Sequence, residues 1–302
     1  MHKSVLLKES IDSLNIKEDG IYVDCTLGYA GHSKAILQKI KKGKLYAFDQ
    51  DKEAREASDK VLSEVSNNYE IIPSNFLYLK EELEKRNITK VDGILFDLGV
   101  SSPQLDDEKR GFSYHTSARL DMRMNLESDL DAYYVVNNYP YEKLVKILFM
   151  YGEEKYAKQI AKNIDKARLV KKVETTLELA DIISASVPEK YKRLHHPARK
   201  TFQAIRIEVN NELEVFAKAL EDAISILNKG GRLAVITFHS LEDRICKNIF
   251  NKYSEEDKIT KGMPNTVSKA EIKVFKKIKP SIKEINENNR SRSAILRVVE
   301  KI

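Results

Sequence analysis

The sequence has few cysteines and no long apolar run. Cys25 and Cys246 lie far apart and form no C-x-x-C pair, so neither a disulfide framework nor a zinc site has enough ligands. No stretch approaches the roughly 18 apolar residues of a bilayer span, and residues 1–10 hold no apolar segment of signal-peptide length. We therefore expect a protein of the reducing cytoplasm that is neither exported nor membrane-bound, with no metal site.

Three short signatures are also missing. No Gly-Lys-Ser/Thr follows a glycine turn, which excludes a P-loop, and the full dinucleotide motif G-x-G-x-x-G is absent. Ser240 stands in "FHSLEDR" without a G-x-S-x-G elbow, and adjacent His and Ser side chains on an extended chain point apart. A serine hydrolase is therefore not expected.

Charge is abundant and unevenly placed. The 302 residues are 42% hydrophobic and 32% charged, and the formal net charge is +6. Residues 268–302 contain ten basic and four acidic residues, so this tail alone carries +6. A second basic stretch spans residues 189–207. Such clusters suit a phosphate backbone, although ordinary solvated surface is the alternative for each.

The first hundred residues alternate short β-rich runs with helical patterns, which predicts βαβ units on a parallel sheet. The predicted elements are strands at Ile21–Cys25, Leu45–Phe48, Glu70–Ile72 and Gly93–Phe96, with helices at Ser33–Lys41 and Glu53–Val65.

After Asp97 helical patterns follow one another without an intervening strand, and Thr175 with Glu178 predicts a capping box. The βα pattern then resumes. Its predicted elements are a helix at Leu213–Leu227 ending at Gly230 and Gly231, a strand at Leu233–Phe238, and an edge hairpin from Lys273–Ile278 and Ala294–Val299. We therefore predict an α/β domain of residues 1–105 and 198–302, with a helical insertion over 106–197.

The segment "DCTLGYAGHS", from Asp24 to Ser33, predicts a ligand-binding turn between the first strand and its helix, with glycines at Gly28 and Gly31. Asp49 follows the second strand, where an acid can accept hydrogen bonds from ribose hydroxyls. Asp97 closes the fourth strand, so Asp24, Asp49 and Asp97 are expected to converge. A sulfonium cation suits such a crevice better than a pyrophosphate, but on the residues alone S-adenosylmethionine and NAD both stay open.

Several long segments resemble the RsmH/MraW family. They are "HKSVLLKE", "DCTLGYAGHS", "DGILFDLGVSSPQLDDEKRGFSY", "LDMRMN", "YGEEKYAKQIA", "HPARKTFQAIRIEVNNEL", "GGRLAVITFHSLEDR" and "NNRSRSAILRV". This resemblance runs nearly end to end. It implies a Rossmann-like class I methyltransferase that uses S-adenosylmethionine to modify the exocyclic N4 of a cytidine in the decoding centre of 16S ribosomal RNA. It also implies that the substrate is an assembled or nearly assembled small subunit; a homodimer is left open.

The resemblance also implies site residues. Cofactor contacts fall on Ala30, Gly31, His32, Asp49, Phe76, Asp97 and Gln104. Cys25 and Ala30 stand where the family has glycines, and Ala30 adds a methyl group close to the cofactor. Asp97 is the expected catalytic acceptor for the amino protons, with backbone carbonyls of residues 99–102 as the alternative, because no Asp/Asn-Pro-Pro-aromatic motif is present.

RNA contacts are expected at Arg199, Arg206, His239, Arg290 and Arg292, and the insertion is expected to recognise RNA. Its tyrosines are candidate base-stacking residues: Tyr133, Tyr134, Tyr139, Tyr141, Tyr151 and Tyr156. Two other functions stay open at this point. One is a non-catalytic RNA-binding protein with a methyltransferase-like fold, and the other is an NAD-dependent dehydrogenase.

Overall fold

The computed structural model describes residues 4–100, 107–193, 196–254 and 270–302. The chain forms two compact units, residues 1–99 with 213–302 and residues 100–212. In the part of the chain that is described, no helix is long and apolar enough to cross a membrane.

The first unit is built on a seven-stranded sheet, whose strands are β1 (Ile21–Asp24), β2 (Lys44–Phe48), β3 (Tyr69–Ile72), β4 (Val91–Asp97), β5 (Leu227–Thr237), β6 (Ile272–Val274) and β7 (Ile295–Lys301). Their order in the sheet is β3-β2-β1-β4-β5-β7-β6. The first five strands of that order are parallel, and β7 is antiparallel to β5 and β6. This confirms the predicted mixed α/β class with a Rossmann-like parallel sheet.

The helices of this unit are α1 (Leu7–Leu14), α2 (Gly31–Leu37), α3 (Lys52–Ser63), α4 (Leu79–Glu84), α11 (Glu212–Ile226), α12 (Ser240–Ser254) and α13 (Ile282–Glu287). Neighbouring strand residues face opposite layers. Leu95 packs in one apolar cluster and Phe96 in another, and both are fully buried. Strands covered on both faces read as continuous apolar runs, which is why their positions are visible in the sequence.

The start of β5 differs from the prediction. Helix α11 ends at Ile226 and the strand begins at Leu227, so Gly230 and Gly231 lie inside β5 rather than ending a helix. Gly230 has φ +76°, and a Cβ on Gly231 would lie 2.8 Å from the carbonyl oxygen of Asn228. The pairing register with β4 shifts here between Val91 and Gly93. The two glycines therefore allow an irregularity within the strand. In the sequence alone, the same pair looks like the end of a helix.

The two late strands pair antiparallel as expected, with Lys273 opposite Glu300. Of these two strands, β6 lies at an edge of the sheet, whereas β7 lies between β6 and β5. Among the earlier elements, α2 begins at Gly31 and ends at Leu37, two residues before its predicted start and four before its predicted end.

The second unit is helical. Its helices are α5 (Ala132–Asn138), α6 (Tyr141–Gly152), α7 (Ala157–Val170), α8 (Thr176–Ala185), α9 (Glu189–Lys192) and α10 (Ala198–Asn210). The capping box at the start of α8 is confirmed, because Thr175 Oγ1 accepts from Glu178 N and the Glu178 carboxylate accepts from Thr175 N. All six helices contribute side chains to one apolar core, to which loop residues also belong. Phe202 and Ile205 of α10 are buried in this core.

The second unit ends later in the chain than the predicted insertion. The prediction ended the insertion at residue 197, whereas the compact unit runs over residues 100–212 and includes α10. In the sequence, the segment that forms α10 is interpreted from its basic residues, although it also carries an apolar face. Its buried side chains belong to the helical core, so α10 cannot be separated from the insertion without exposing them.

Candidate functional site

Three carboxylates lie at the carboxyl ends of the central strands, on one face of the sheet. Asp24 ends β1 and pairs with Ala47 on one side and Leu95 on the other. Asp49 and Asp97 each stand two residues beyond these partners, and side chains two apart along a strand share a face. This edge is where open α/β sheets bind their ligands. The register therefore brings together the three acids that the sequence singled out.

Asp24 holds the first turn in place. Its Oδ2 accepts from Ser33 Oγ at 2.7 Å, and its Oδ1 accepts from Thr26 N at 3.0 Å. The side chain is buried, and burial raises the pKa of Asp24, opposed by the charge of His32 and these hydrogen bonds. Thr26 Oγ1 in turn accepts from Asp97 N at 2.7 Å, which ties the turn after β1 to the end of β4. Asp24 thus organises the turn and has both oxygens occupied.

Asp49 lies half-buried beside the glycine turn. Its Oδ2 accepts from Gly28 N at 2.9 Å and its Oδ1 accepts from Asp51 N at 2.8 Å. Burial raises the pKa of Asp49 to about 6, although both backbone hydrogen bonds favour the ionised form. Each carboxylate oxygen has a second lone pair, so the side chain can still accept hydrogen bonds from a ligand.

Asp97 carries the least satisfied polar atom of the site. Its Oδ2 lies 3.4 Å from Nδ1 of the buried His32, whose Nε2 donates to the carbonyl oxygen of Val5 at 3.1 Å. Its Oδ1 is buried and has no hydrogen-bond partner among the described residues. Burial disfavours the charged form of His32, but the Asp97 contact and the charges of Asp97 and Asp24 outweigh it and raise its pKa. A buried acceptor without a donor marks a place where a ligand donor is expected.

The first turn presents tightly packed backbone. Gly28 has φ +49° and Ala30 has φ +61°, both in the left-handed region. A Cβ on Gly31 would lie 1.8 Å from Ser4 Oγ, so only glycine fits there without displacing Ser4. Ala30 is fully buried and precedes α2 directly. Cys25 is buried as well, and burial raises the pKa of its thiol well above the ordinary value, which leaves it a small neutral side chain.

Phe76 lies on the other face of the sheet. It begins a short 3₁₀ turn and its ring meets Phe96 edge-on, with 5.5 Å between the centroids and an interplanar angle of 87°. The ring is half-buried, so part of it stays accessible at the end of β4. The remaining predicted cofactor residue, Gln104, lies outside the described residues.

Phe238 begins the run "FHSLEDR", which the sequence places as a wall of the substrate pocket, and its ring lies beside Gly99, two residues past Asp97. Asp97 pairs with Ile236 on β5, and Phe238 lies two residues beyond Ile236 on the same face. Its ring packs against Gly99, where an added Cβ would lie 3.5 Å from Phe238 Cδ2. Gly99 has φ +103°, which favours glycine. Continuing the parallel register two residues past each strand would have revealed this pair.

His239 is engaged within its own turn. Its Nε2 lies 3.0 Å from Glu242 Oε1. The other carboxylate oxygen, Oε2, accepts from the backbone N–H of Phe238 at 2.7 Å and of His239 at 3.2 Å. Glu242 therefore holds the segment between β5 and α12, and its carboxylate lies close to the His239 ring, the predicted RNA contact.

The predicted RNA-binding arginines differ in their surroundings. Arg206 makes a two-pronged ion pair with Glu212, both distances being 2.8 Å, and is mostly buried. Arg199 is exposed, near the start of α10. Arg290 and Arg292 are exposed in the 3₁₀ turn Asn289–Ser293. An RNA contact by Arg206 would require its pair with Glu212 to open, whereas the other three residues are exposed to solvent.

Most of the candidate stacking tyrosines of the insertion serve its core. Tyr139 is buried and donates to Glu208 Oε1 at 2.7 Å, while Tyr133, Tyr141, Tyr151 and Tyr156 pack partly buried against the helical core. Tyr134 is the exception, with half its surface exposed. These positions follow from the helical period, which places a tyrosine ring inside and its hydroxyl outside.

Comparisons with known proteins agree on the family. Residues 1–302 match the model of the MraW methylase family. The chain is 54% identical over 306 residues to "Ribosomal RNA small subunit methyltransferase H" of Exiguobacterium sibiricum, covering 100% of this chain and 98% of that relative.

Solved structures give more distant likenesses. An rRNA methylase from Streptococcus thermophilus matches at 14% identity and TM-score 0.44, over 100% of this chain and 99% of that one. A SAM-dependent O-methyltransferase from Thermotoga maritima matches at 9% identity and TM-score 0.43, over 100% of this chain and 68% of that one. The match to the family model over the whole chain is the decisive finding. The chain therefore belongs to the MraW methylase family, and its methyl donor is S-adenosylmethionine.

Proposed function

We propose that this enzyme transfers a methyl group from S-adenosylmethionine to the exocyclic N4 of a cytidine in the decoding centre of small-subunit (16S) ribosomal RNA. The name of the Exiguobacterium relative supports the small-subunit RNA as substrate. The structural observation that carries the proposal is Asp97 Oδ1, a buried acceptor without a partner among the described residues, at the ligand-binding edge of the sheet.

The residues around this edge fit the cofactor. Asp49 is the proposed acceptor for the ribose hydroxyls, because its carboxylate is fixed by two backbone N–H groups and retains free lone pairs. The left-handed turn at Gly28 and Ala30, followed by Gly31 and His32, lets a ligand approach the backbone closely. Phe76 is the proposed contact for the adenine, since its half-buried ring offers an apolar surface. Gln104 completes the proposed set.

Asp97 is the proposed catalytic residue. The N4 lone pair of cytosine is delocalised into the ring, so a protein must orient the amine and accept its protons as the nitrogen becomes tetrahedral. Asp97 Oδ1 can accept one amino N–H, while Oδ2 stays beside His32. S-adenosylmethionine, when bound, supplies an electrophilic methyl group on a sulfonium. After transfer the amine is cationic and acidic, so it gives up its surplus proton to water without a strong base.

Phe238 supports the choice of a planar base as substrate. Many amino-methyltransferases follow the acid of strand four with two prolines and an aromatic residue, whereas this chain has Leu98, Gly99 and Val100 there. The ring of Phe238 packs against Gly99 from the neighbouring strand. It therefore offers a flat face one step beyond Asp97, against which an unstacked cytosine can lie.

We propose that the second unit, which leaves the sheet three residues after Asp97, recognises the RNA, together with Arg199, His239, Arg290 and Arg292. The three arginines are exposed and His239 follows the end of β5, which supports this role. Arg206 could contact RNA only if its ion pair with Glu212 opened. An assembled or nearly assembled small subunit in the cytoplasm is the proposed substrate. Membership of a methylase family favours catalysis over the two functions that the residues alone left open, RNA binding without chemistry and NAD-dependent hydride transfer.

The test is a deletion strain complemented with wild type, Asp97→Asn or Asp97→Ala. Mass spectrometry of small-subunit RNA should show loss of one N4-methylcytidine on deletion and its return with the wild type. Losing the charge of the acceptor in Asp97→Asn, or the acceptor itself in Asp97→Ala, should lower the transfer rate at saturating cofactor by about 10²- to 10⁴-fold. Calorimetry with S-adenosylmethionine checks that each variant still folds and binds. An unchanged methylation pattern in the deletion strain would refute the proposed substrate.

A further inference from the structure

Four aromatic rings meet at the surface of the helical unit. Tyr114 stacks on His196 with centroids 4.3 Å apart and an interplanar angle of 22°. His115 contacts both rings, at 4.5 Å from Tyr114 and 5.1 Å from His196. Beneath them the buried Phe202 of α10 meets Tyr114 edge-on at 5.4 Å. The cluster is therefore anchored to the core at one end and reaches the surface at the other.

The surface end of this cluster consists of two histidines. His115 and His196 are both exposed, whereas Tyr114 is half-buried. Exposed aromatic rings usually lie singly and need no explanation, but a parallel stack continued outward to solvent is the arrangement on which unpaired nucleic-acid bases bind. A base added to it would extend a column that Tyr114 and His196 already form.

The histidine ring at the end of the stack has a defined protonation. His196 Nδ1 accepts from Ala198 N at 3.3 Å, so this nitrogen carries no proton and Nε2 bears the hydrogen. Partial burial, with the nearby His115, lowers the pKa of His196. The ring is therefore neutral at physiological pH. Its Nε2–H can donate a hydrogen bond to a base or a phosphate.

Unpaired cations flank the stack. Most arginines of this unit are neutralised by carboxylates: Arg119 by Asp121 and Asp131, Arg123 by Asp121, Arg168 by Asp165, and Arg206 by Glu212. Arg193 and Arg199, three residues before and after His196, are exposed and have no side-chain ion pair or hydrogen bond with any described residue. Exposed positive charge close in the chain to exposed rings is a combination that suits single-stranded RNA.

We propose that Tyr114, His115 and His196 form a stacking platform for an unpaired RNA base, with Arg193 and Arg199 holding the adjoining phosphates. This inference rests on the proposed function, because it assigns a second contact for the same RNA, made by residues of the helical unit. All residues of the platform belong to the helical unit. The platform offers a contact for an RNA base, whereas most of the candidate tyrosines of this unit pack in its core.

The decisive experiment is a matched pair of variants at residue 196 in the full chain. His196→Asn keeps an acceptor for Ala198 N and removes the ring, whereas His196→Phe keeps a ring and removes the acceptor. The probe is a short single-stranded oligoribonucleotide containing 2-aminopurine, whose fluorescence is quenched by stacking. The platform predicts about five- to a hundredfold weaker binding and loss of quenching for the Asn variant, with both retained in the Phe variant. A capping role alone predicts the reverse order.

Two further variants complete the test. Phe149→Leu changes a ring that is 63% exposed in the same unit and should leave binding and quenching unchanged. Arg193→Glu with Arg199→Glu should weaken RNA binding and reduce its salt dependence. Wild-type RNA binding by the Asn variant, or a preference for a duplex of equal length, overturns the platform.

The two proposals fail separately. A wild-type chain that shows ring-dependent quenching but methylates no small-subunit RNA refutes the proposed function and leaves the platform standing. A wild-type chain that methylates normally, beside a His196→Asn variant with unchanged affinity and quenching, refutes the platform alone.

Discussion

The buried ring of His32 lies between Asp97 and the backbone of Val5 and contacts both. Nδ1 lies 3.4 Å from Asp97 Oδ2 and Nε2 lies 3.1 Å from the carbonyl oxygen of Val5. A carbonyl oxygen is an acceptor only, so Nε2 carries a hydrogen, and the raised pKa of His32 favours a second hydrogen on Nδ1, toward Asp97. This pair orients Asp97 so that Oδ2 is occupied and Oδ1 remains for a ligand. His32 is therefore a positioning residue for Asp97.

The stability contribution of this pair should depend on pH. The pKa of His32 is raised in the folded protein, where burial is outweighed by Asp97 and Asp24. A raised pKa adds stability that is complete below the unfolded value of about 6.5 and is lost as pH rises through the folded value. Urea unfolding of wild type and His32→Gln should therefore show a stability difference that shrinks as pH rises from 5.5 to 8.5. A constant difference would contradict a raised pKa of His32 in the folded protein.

Asp49→Ala should weaken S-adenosylmethionine binding by about ten- to a hundredfold, the effect of losing a charge-assisted hydrogen bond of about 1.5–3 kcal/mol. Isothermal titration of the full chain measures this change. Asp51→Ala, which removes a neighbouring acid that caps α3 through Glu53 N, is the matched control and should affect stability more than affinity. Equal affinity losses in the two variants would assign the effect to local packing.

Cofactor affinity should also fall in acid. Burial raises the pKa of Asp49 to about 6, so in the free protein the carboxylate is progressively protonated below that pH. The charged acceptor is then lost, and affinity should decrease as pH falls through about 6. Titrations between pH 5 and 8 should show this dependence in the wild type and a flatter profile in Asp49→Asn. The same slope in both proteins would remove Asp49 from the ribose site.

Ala30 tests how tightly the first turn is packed. It is fully buried with φ +61°, so its methyl group packs well but its backbone is disfavoured by about 1 kcal/mol or more. Ala30→Gly relieves this cost but loses a buried methyl group and adds flexibility to the unfolded chain, so stability should change by less than about 1 kcal/mol. Ala30→Val, branched and larger, should lose about 3 kcal/mol or more. Denaturant unfolding of both variants measures the contrast, and a well-tolerated valine would contradict the packing.

Arg290→Glu with Arg292→Glu should weaken RNA binding and lower the log–log salt slope by about one to two, while cofactor affinity stays unchanged. Both side chains are exposed, so the fold should tolerate the change. Lys80→Glu with Lys229→Glu makes the same change in net charge at two other exposed positions and serves as the control. A slope reduced equally in both double variants would show that only the overall charge matters.

The sequence alone determined the sheet and most of the cofactor edge. Strands buried on both faces, such as β4, appear as continuous apolar runs, and the acid that ends each strand is then placed by the parallel register. Asp24, Asp49 and Asp97 could therefore be assigned to one edge without coordinates. The capping box of Thr175 and Glu178 was equally visible, because its contacts span only three residues.

Only the tertiary structure decided which polar atoms are already occupied. Arg206 reads as a phosphate ligand beside other basic residues until its pair with Glu212 is seen, and Gly230 reads as a helix cap until the strand around it is seen. The stack of Tyr114 on His196 joins residues far apart in the chain, as do His32 with Asp97 and Phe238 with Gly99. Local sequence patterns report backbone preference and burial over a few residues. Pairing between distant side chains depends on how the packed elements bring them together, and no local pattern encodes that.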